Sequence, residues 1–290
     1  MDSNGLPHGH CYEVDVMSVV LLDKAIELSS FGGKAFQLGS AVRSGLPVPH
    51  GYAISYDLVN QIVNGNKNAF KEIDLIIGNL TLPFAVRSSA IDEDGLMSSY
   101  AGIYKTILGI NDATGLFSAI NEIACSGQAT QAIAYRKRLG LTAPSQVAVI
   151  IQQMVCSELS GVIFTRNPLT GMDERMIEAC WGLGESIVSG RITPDRYTVN
   201  RGATSIEIFT GRQETAIYPA KEGGTKEVKL DSQGINNACL LENHIRQLDH
   251  LATRCEQIFG KDLDIEWAFS DNRLYLLQCR KITTRGGISH

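Results

Sequence analysis

The chain has 290 residues, 44% hydrophobic and 20% charged, which is enough for a sizeable core in one large domain or two lobes. A formal net charge of −5 with no basic run argues against nucleic acid or an anionic membrane as the main partner. The apolar run Val19 to Leu22 is too short for a bilayer, Met1 to His10 lacks the basic-then-apolar order of a signal peptide, and the scattered cysteines form no CxxC, so a cytoplasmic protein with reduced thiols is expected.

Residues 1–12 read as a disordered tail, in which His8, His10 and Cys11 are ordinary polar residues rather than a metal grip. Val14 to Leu22 reads as a strand and Asp23 to Leu28 as a short helical turn. Phe31-Gly32-Gly33-Lys34-Ala35 then leads into Phe36, Leu38, Ala41 and Val42 at helical spacing. A glycine pair and a lysine at a helix N-terminus suit an anion, because the first N–H groups lack partners and the dipole is positive there. The GxxxxGK[ST] spacing of a Walker A loop is absent, and GGK alone equally fits a flexible helix start. Gly45 to Pro49 is a rigid connector, and Tyr56 to Ile77 reads as helical with an interruption at Gly65.

The stretch Phe84 to Thr106, FAVRSSAIDEDGLMSSYAGIYKT, begins as a strand and turns polar at Arg87. Ser88, Ser89, Ser98 and Ser99 bring hydroxyls, and Gly95 and Gly102 let the backbone approach a ligand. Hydroxyls, backbone N–H groups and an arginine fork are the donors that phosphate oxygens need. Taken alone, the stretch also fits a solvated loop capped by Ser and Asp. Tyr104 to Leu108 reads as a strand and Ala113 to Leu139 as a long amphipathic helical region, with Pro144 marking a break.

From Gln146 the texture is that of strands. Val147 to Ile151 is apolar on both faces, as in a covered strand, and ends in Gln152 and Gln153, which either meet a flat ring or emerge into water. Gly161 to Thr165, Arg175 to Cys180, Tyr197 to Val199 and Ile206 to Phe209 are further strands, and Trp181 to Glu185 is a glycine-rich turn. Ser232 to Phe259 reads as one long helix closed by Gly260. The last element is a hairpin, Leu263 to Phe269 and Arg273 to Arg280, with an expected three-residue turn at 270–272. An odd-length turn puts Glu266, Gln278 and Arg280 on one face, with Leu274 and Leu276 beside them. A carboxylate and an amide oxygen together suit Mg²⁺, and an adjacent arginine suits phosphate. A surface Glu–Arg pair is the alternative.

Six segments in this order resemble the nucleotide-binding domain of the phosphoenolpyruvate synthase and pyruvate phosphate dikinase family: FGGKAFQLG (31–39), GLPVPHGYAIS (45–55), VRSSAIDEDGLMSSYAGIYKT (86–106), GVIFTRNPLTG (161–171), WGLGESIVSGRITPDRY (181–197) and DIEWAFSDNRLYLLQCRKI (264–282). Within that family they look most like rifampicin phosphotransferase. The resemblance implies an α+β ATP-grasp fold, with two lobes of mostly antiparallel sheet enclosing the nucleotide. The lobes are expected over residues 13–143 and 144–285, followed by a frayed tail at 286–290. By position it implies that Lys34 and Arg87 contact the phosphates and that Gly102 and Thr106 belong to the loop over them. It further implies that Gln153 lies near the adenine, that Glu266 and Gln278 bind Mg²⁺, and that both approach the nucleotide together with Arg280. Lys34, Arg87 and Arg280 are then the catalytic cations.

In that family ATP gives its β-phosphoryl group to a histidine on a swivelling domain, leaving AMP and phosphate, and the phosphohistidine moves on to an acceptor. The sequence ends at His290, in a tail read as frayed, and His50, His244 and His250 fall in or beside folded elements. The expectation is therefore a Mg·ATP-dependent phosphotransferase component. It works with a histidine domain on a partner chain or passes phosphoryl directly to a small acceptor. The alternative is a non-catalytic ATP-binding sensor or regulatory subunit.

Overall fold

The computed structural model describes residues 17–90, 105–138 and 145–282. The first sheet contains β1 (Val19–Leu21), β2 (Gly51–Ile54), β3 (Phe84–Ala90), β4 (Thr106–Ile110) and β5 (Val147–Gln153), in the order β1-β2-β5-β3-β4, with every neighbouring pair antiparallel. Among the described residues, five α-helices accompany it: α1 (Leu28–Arg43), α2 (Tyr56–Val63), α3 (Lys67–Asn79), α4 (Ala113–Ser126) and α5 (Thr130–Arg138). The α2–α3 break falls at Gly65, as the sequence suggests. The expected single region Ala113 to Leu139 is likewise two helices.

Strand alternation sorts the sheet into two faces. Phe84, Val86, Val149 and Ile151 pack with Leu58, Ile62, Ile73, Leu116 and Ile120 of α2, α3 and α4. The other face carries Ala53 and Ile150 against Phe31, Ala35 and Leu38 of α1. Arg87 pairs with Ile150 across β3 and β5, so it stands on the α1 face. The expected division of the lobes at 143/144 needs correction. β5 lies between β2 and β3 in the first sheet, where a strand apolar on both faces belongs, and the chain leaves this sheet only after Gln153.

The second sheet has the order β13-β12-β6-β7-β8-β9, again antiparallel throughout. Its strands are β6 (Leu159–Phe164), β7 (Arg175–Trp181), β8 (Asp195–Val199) and β9 (Ile206–Phe209), then, after a separate hairpin of β10 (Thr215–Pro219) and β11 (Thr225–Lys229), β12 (Leu263–Ser270) and β13 (Arg273–Lys281). Three helices complete this half: α6 (Glu185–Val188), α7 (Ser232–Asn236) and α8 (Glu242–Phe259). Ile163, Ile177, Tyr197, Ile265 and Trp267 form one buried face with Ile245, Leu248 and Leu251 of α8. Glu178, Arg196, Asp264 and Glu266 alternate onto the opposite face.

The expected continuous helix Ser232 to Phe259 is interrupted between α7 and α8. There the Cys239 N–H donates to Asp195 Oδ2 (2.7 Å) and the Leu240 N–H to Tyr197 Oη (2.9 Å). Side chains of β8 take the donors that a helix would have used, and both residues are buried as a result. No helix among the described residues is long and apolar enough to cross a membrane.

Candidate functional site

Gly32 interrupts α1 with φ 75° and ψ 170°. A Cβ there would lie 2.1 Å from the Ser89 carbonyl oxygen, so only glycine allows this turn to rest on β3. Beyond it the helix restarts, and the Ala35 N–H donates to Ser89 Oγ at 3.0 Å. Ser89 thus occupies one of the amide donors expected to meet an anion. Lys34 is buried, and its Nζ donates to the Ser88 carbonyl at 3.0 Å. The amine of Lys34 therefore lies against the residue next to Arg87, and the two expected phosphate contacts are neighbours despite their sequence separation.

Arg87 reaches out of the first sheet to the second. Its Nη1 donates to the Leu277 carbonyl, and its Nη2 to Glu266 Oε2 (3.3 Å) and Gln278 Oε1 (3.1 Å). The Arg87 side chain is 9% exposed and that of Glu266 33%. Lys34 joins the same place from α1, lining one small cleft with Gln37, Leu38, Gln278 and Cys279.

The hairpin that carries Glu266 and Gln278 differs from the sequence expectation in an instructive way. Its turn has two residues, Asp271 and Asn272, both at positive φ, with Ser270 opposite Arg273. That turn alone would pair Glu266 with Leu277. A bulge intervenes: Trp267 faces Leu276, Glu266 faces Gln278, and Leu277 has no opposite number. The bulge reverses the alternation of β13. Leu276 and Cys279 enter the core with Trp267, and Leu274 packs against it, whereas Gln278 and Arg280 line up with Glu266 and Asp264. The shared face of Glu266, Gln278 and Arg280 is present, but the three-residue turn and the placement of Leu274 and Leu276 on that face are not. The carbonyl of the bulged Leu277 is the one that receives Arg87.

Arg280 donates through Nε to Asp264 Oδ2 at 2.7 Å, and its Nη2 lies 2.7 Å from the same oxygen. Asp264 Oδ1 is buried and finds no hydrogen-bond partner among the described residues. Burial pushes the Asp264 carboxyl above its ordinary range, with Arg280 pulling the other way. Sequence reasoning gave no role to Asp264, which lies two residues before Glu266 on the same face of β12. It also missed Glu178 and Arg196, joined at 3.2 Å, which extend the polar row beyond Val162. The alternation in β7 and β8 carried that signal, but only the strand order aligns it with Glu266.

Thr106 opens β4 directly opposite Arg87 and is exposed. Gly102 lies outside the described residues. Gln153 is exposed at the end of β5, but it pairs with Phe84 and so alternates to the face away from Arg87; Gln152 is on Arg87's face, buried, with Nε2 donating to the Pro49 carbonyl at 3.0 Å. The structure therefore brings together Arg87, Glu266, Gln278 and Lys34. Thr106 and Arg280 flank them, and Gln153 stands apart. Among the described residues no group of three or more His, Cys, Asp and Glu side chains forms a metal cluster. Glu266 and Gln278 nonetheless converge on one point, because a single Arg87 nitrogen contacts both oxygens. A cation already sits there, and the donors are hard oxygens of the kind Mg²⁺ takes while keeping waters and phosphate for its other positions.

Comparison with known proteins gives three points of reference. The chain is 33% identical over 294 residues to the "Uncharacterized phosphotransferase YvkC" of Bacillus subtilis, covering 92% of this chain and 35% of that protein. It is 31% identical over 301 residues to the "Probable phosphoenolpyruvate synthase" of Methanothermobacter thermautotrophicus, covering 88% of this chain and 44% of that protein. The chain thus spans less than half the length of these curated relatives. A solved D-Alanine-D-Alanine Ligase from Helicobacter pylori aligns with a TM-score of 0.42 and 12% identity, over 88% of this chain and 55% of that one. Residues 67–289 match the family described as "Pyruvate phosphate dikinase, AMP/ATP-binding domain", and the α+β chain, with its two antiparallel sheets, belongs to that family.

Proposed function

We propose that the chain binds Mg·ATP between its two sheets and serves as the ATP-activating part of a dikinase-type phosphotransferase. The β-phosphoryl group goes to a histidine domain of a partner or directly to a small acceptor, AMP departs as the leaving group, and water takes the γ-phosphoryl group as phosphate. The observation that carries this reading is Arg87, buried between the sheets and bonded to both Glu266 and Gln278. It joins a phosphate-binding side chain of one half to two oxygen donors of the other, in a chain whose family is described as AMP/ATP-binding.

Lys34 and Arg87 would meet the phosphates from the first sheet and Arg280 from the second. Cations fixed in place before the reaction stabilise charge on a transferring phosphoryl group without reorganising as it moves. Asp264 holds the Arg280 guanidinium through one oxygen and so fixes it on the face of Glu266 and Gln278. Mg²⁺ would be held by Glu266 and Gln278 and would neutralise the phosphate oxygens that complete its shell. Thr106, with Gly102, belongs at the phosphate end. Gln153, which alternates to the face away from Arg87, is left without a role in this cleft.

A relay also needs a carrier that leaves the cleft. His50 stacks edge-on with Tyr52, and its carbonyl accepts the Gln153 N–H. His244 accepts the Leu241 N–H through Nδ1 and packs against Phe269, and burial lowers its pKa. His250 lies on α8. None of these can travel, so the purified chain should bind Mg·ATP but form AMP slowly until a partner or small acceptor is added. The test follows β-labelled ATP through acid- and base-quenched reactions with the chain alone and with candidate acceptors. ADP as the sole product, or rapid AMP formation with acid-labile label on His290, would overturn the scheme.

A further inference from the structure

We propose that Arg87 is the resident cation of the metal-binding oxygens in the nucleotide-free chain, and that Mg²⁺ gains Glu266 and Gln278 only when phosphate draws the guanidinium away. This rests on the Mg·ATP reading above and adds an order of events to it. Arg87 Nη2 lies 3.3 Å from Glu266 Oε2 and 3.1 Å from Gln278 Oε1, the two oxygens assigned to the metal. Mg²⁺ requires those oxygens at about 2.0–2.1 Å. An ion there would face the guanidinium at close range, in a cleft where Arg87 is only 8% exposed and solvent screens little. One carboxylate cannot balance both charges. Metal alone is therefore excluded by charge, although its ligands are already assembled.

Phosphate reverses this. A guanidinium binds phosphate through paired charge-assisted hydrogen bonds, stronger than its single contact to an amide oxygen and its 3.3 Å contact to Glu266. Phosphate also brings the negative charge and the oxygens that the metal lacks here. As Arg87 turns to the phosphate, its positive charge leaves Glu266 and Gln278 at the moment the ion arrives. The bond to the Leu277 carbonyl gives the guanidinium a second anchor on the opposing sheet, so the same movement releases one tie between the two halves.

The experiment uses Mn²⁺ in place of Mg²⁺, with free Mn²⁺ read by electron paramagnetic resonance. Nucleotide-free wild-type chain should bind Mn²⁺ only weakly at this site. Arg87→Met should bind it at least roughly tenfold more tightly, a change of about 1.4 kcal/mol. Arg87→Lys, which keeps the charge, should gain less, and adding Glu266→Gln to Arg87→Met should remove the gain. Equal or weaker Mn²⁺ binding by a folded Arg87→Met chain would overturn the proposal. If the Arg87 variants do not fold, the wild-type titration decides: tight, saturable Mn²⁺ binding without nucleotide that Glu266→Gln abolishes would overturn it, and weak binding sustains it. Calorimetry with Mg·ATP on the wild-type chain separates the two levels. No Mg·ATP binding defeats the functional reading, whereas Mg·ATP binding without the Mn²⁺ gain defeats the exchange alone.

Discussion

Two buried arginines, Arg175 and Arg87, show how similar chemistry serves different ends. Arg175 opens β7 and is 1% exposed. It contacts Asp249 at 3.0 Å, Glu256 at 2.9 Å and Thr253 Oγ1 at 2.9 Å, all on α8. Those carboxylates have further donors: Asp249 accepts the Gly202 N–H and Glu256 is bonded by Arg201. Every charge is matched more than once, inside one half of the molecule. Arg87 spans two halves and meets one carboxylate, itself one-third exposed, plus two neutral oxygens. The first arrangement fixes a helix on a sheet. The second leaves an arginine with a single, partly exposed counter-charge across the gap between two sheets.

The largest expected effect tests the first half of that contrast. Arg175→Met leaves Asp249 and Glu256 buried without their shared cation, and should cost about 3–5 kcal/mol of stability in urea unfolding. A loss near zero would mean that α8 is held by its apolar face alone. Next, Gly32→Ala forces a Cβ into the Ser89 carbonyl at a positive φ, and should cost about 1–3 kcal/mol along with Mg·ATP affinity. Retention of full affinity in calorimetry would show that this turn does not align the cleft.

Acid should attack the Arg175 cluster less severely. Burial raises the Glu256 carboxyl, but hydrogen bonds from Arg201 and Arg175 outweigh it and hold the pKa below its ordinary 4.5. The folded state then binds fewer protons than the unfolded chain, so this stabilisation is full above pH 4.5 and falls as pH drops through the lower folded value. Arg175→Met should shrink that acid dependence in pH-resolved unfolding; an unchanged profile would move its origin elsewhere. The smallest stability effect is expected for Arg87→Met, about 1 kcal/mol or less, because Glu266 can hydrate when its partner leaves. Its Mg·ATP affinity should nevertheless fall at least roughly tenfold, about 1.4 kcal/mol. Equal destabilisation by Arg87→Met and Arg175→Met would erase the distinction between them.

Local patterns carried much of the architecture. The start of β3 at Phe84, the α2–α3 break at Gly65 and the strands of the six-stranded sheet follow from alternation and punctuation in the sequence. Pairing over distance did not. The composition change near Pro144 suggested a lobe boundary, whereas β5 inserts between β2 and β3, a decision made by partners about 60–100 residues away. The β10–β11 hairpin went unread because β11 is exposed along its whole length and shows no apolar alternation. The break before α8 depends on Asp195 and Tyr197, which belong to a strand. Within the site, residue types and face were legible for Glu266, Gln278 and Arg280. The contact from Arg87, 179 residues from Glu266, became visible only when the two sheets were set against each other.

The unpaired Leu277 makes the closing hairpin sensitive to length more than to composition. Its two-residue turn and its bulge act as successive changes of phase, and only their combination points Gln278 and Arg280 towards the cleft. Removing one residue between the turn and Gln278 would absorb the bulge and leave Gln278 opposite Glu266. Adding one there, with the bulge kept, would set Gln278 opposite Ile265 and the apolar core, and Cys279 on the face of Asp264. Many side chains of this ribbon can be exchanged while the count is kept, but a single insertion acts on it as a frameshift acts on a coding sequence.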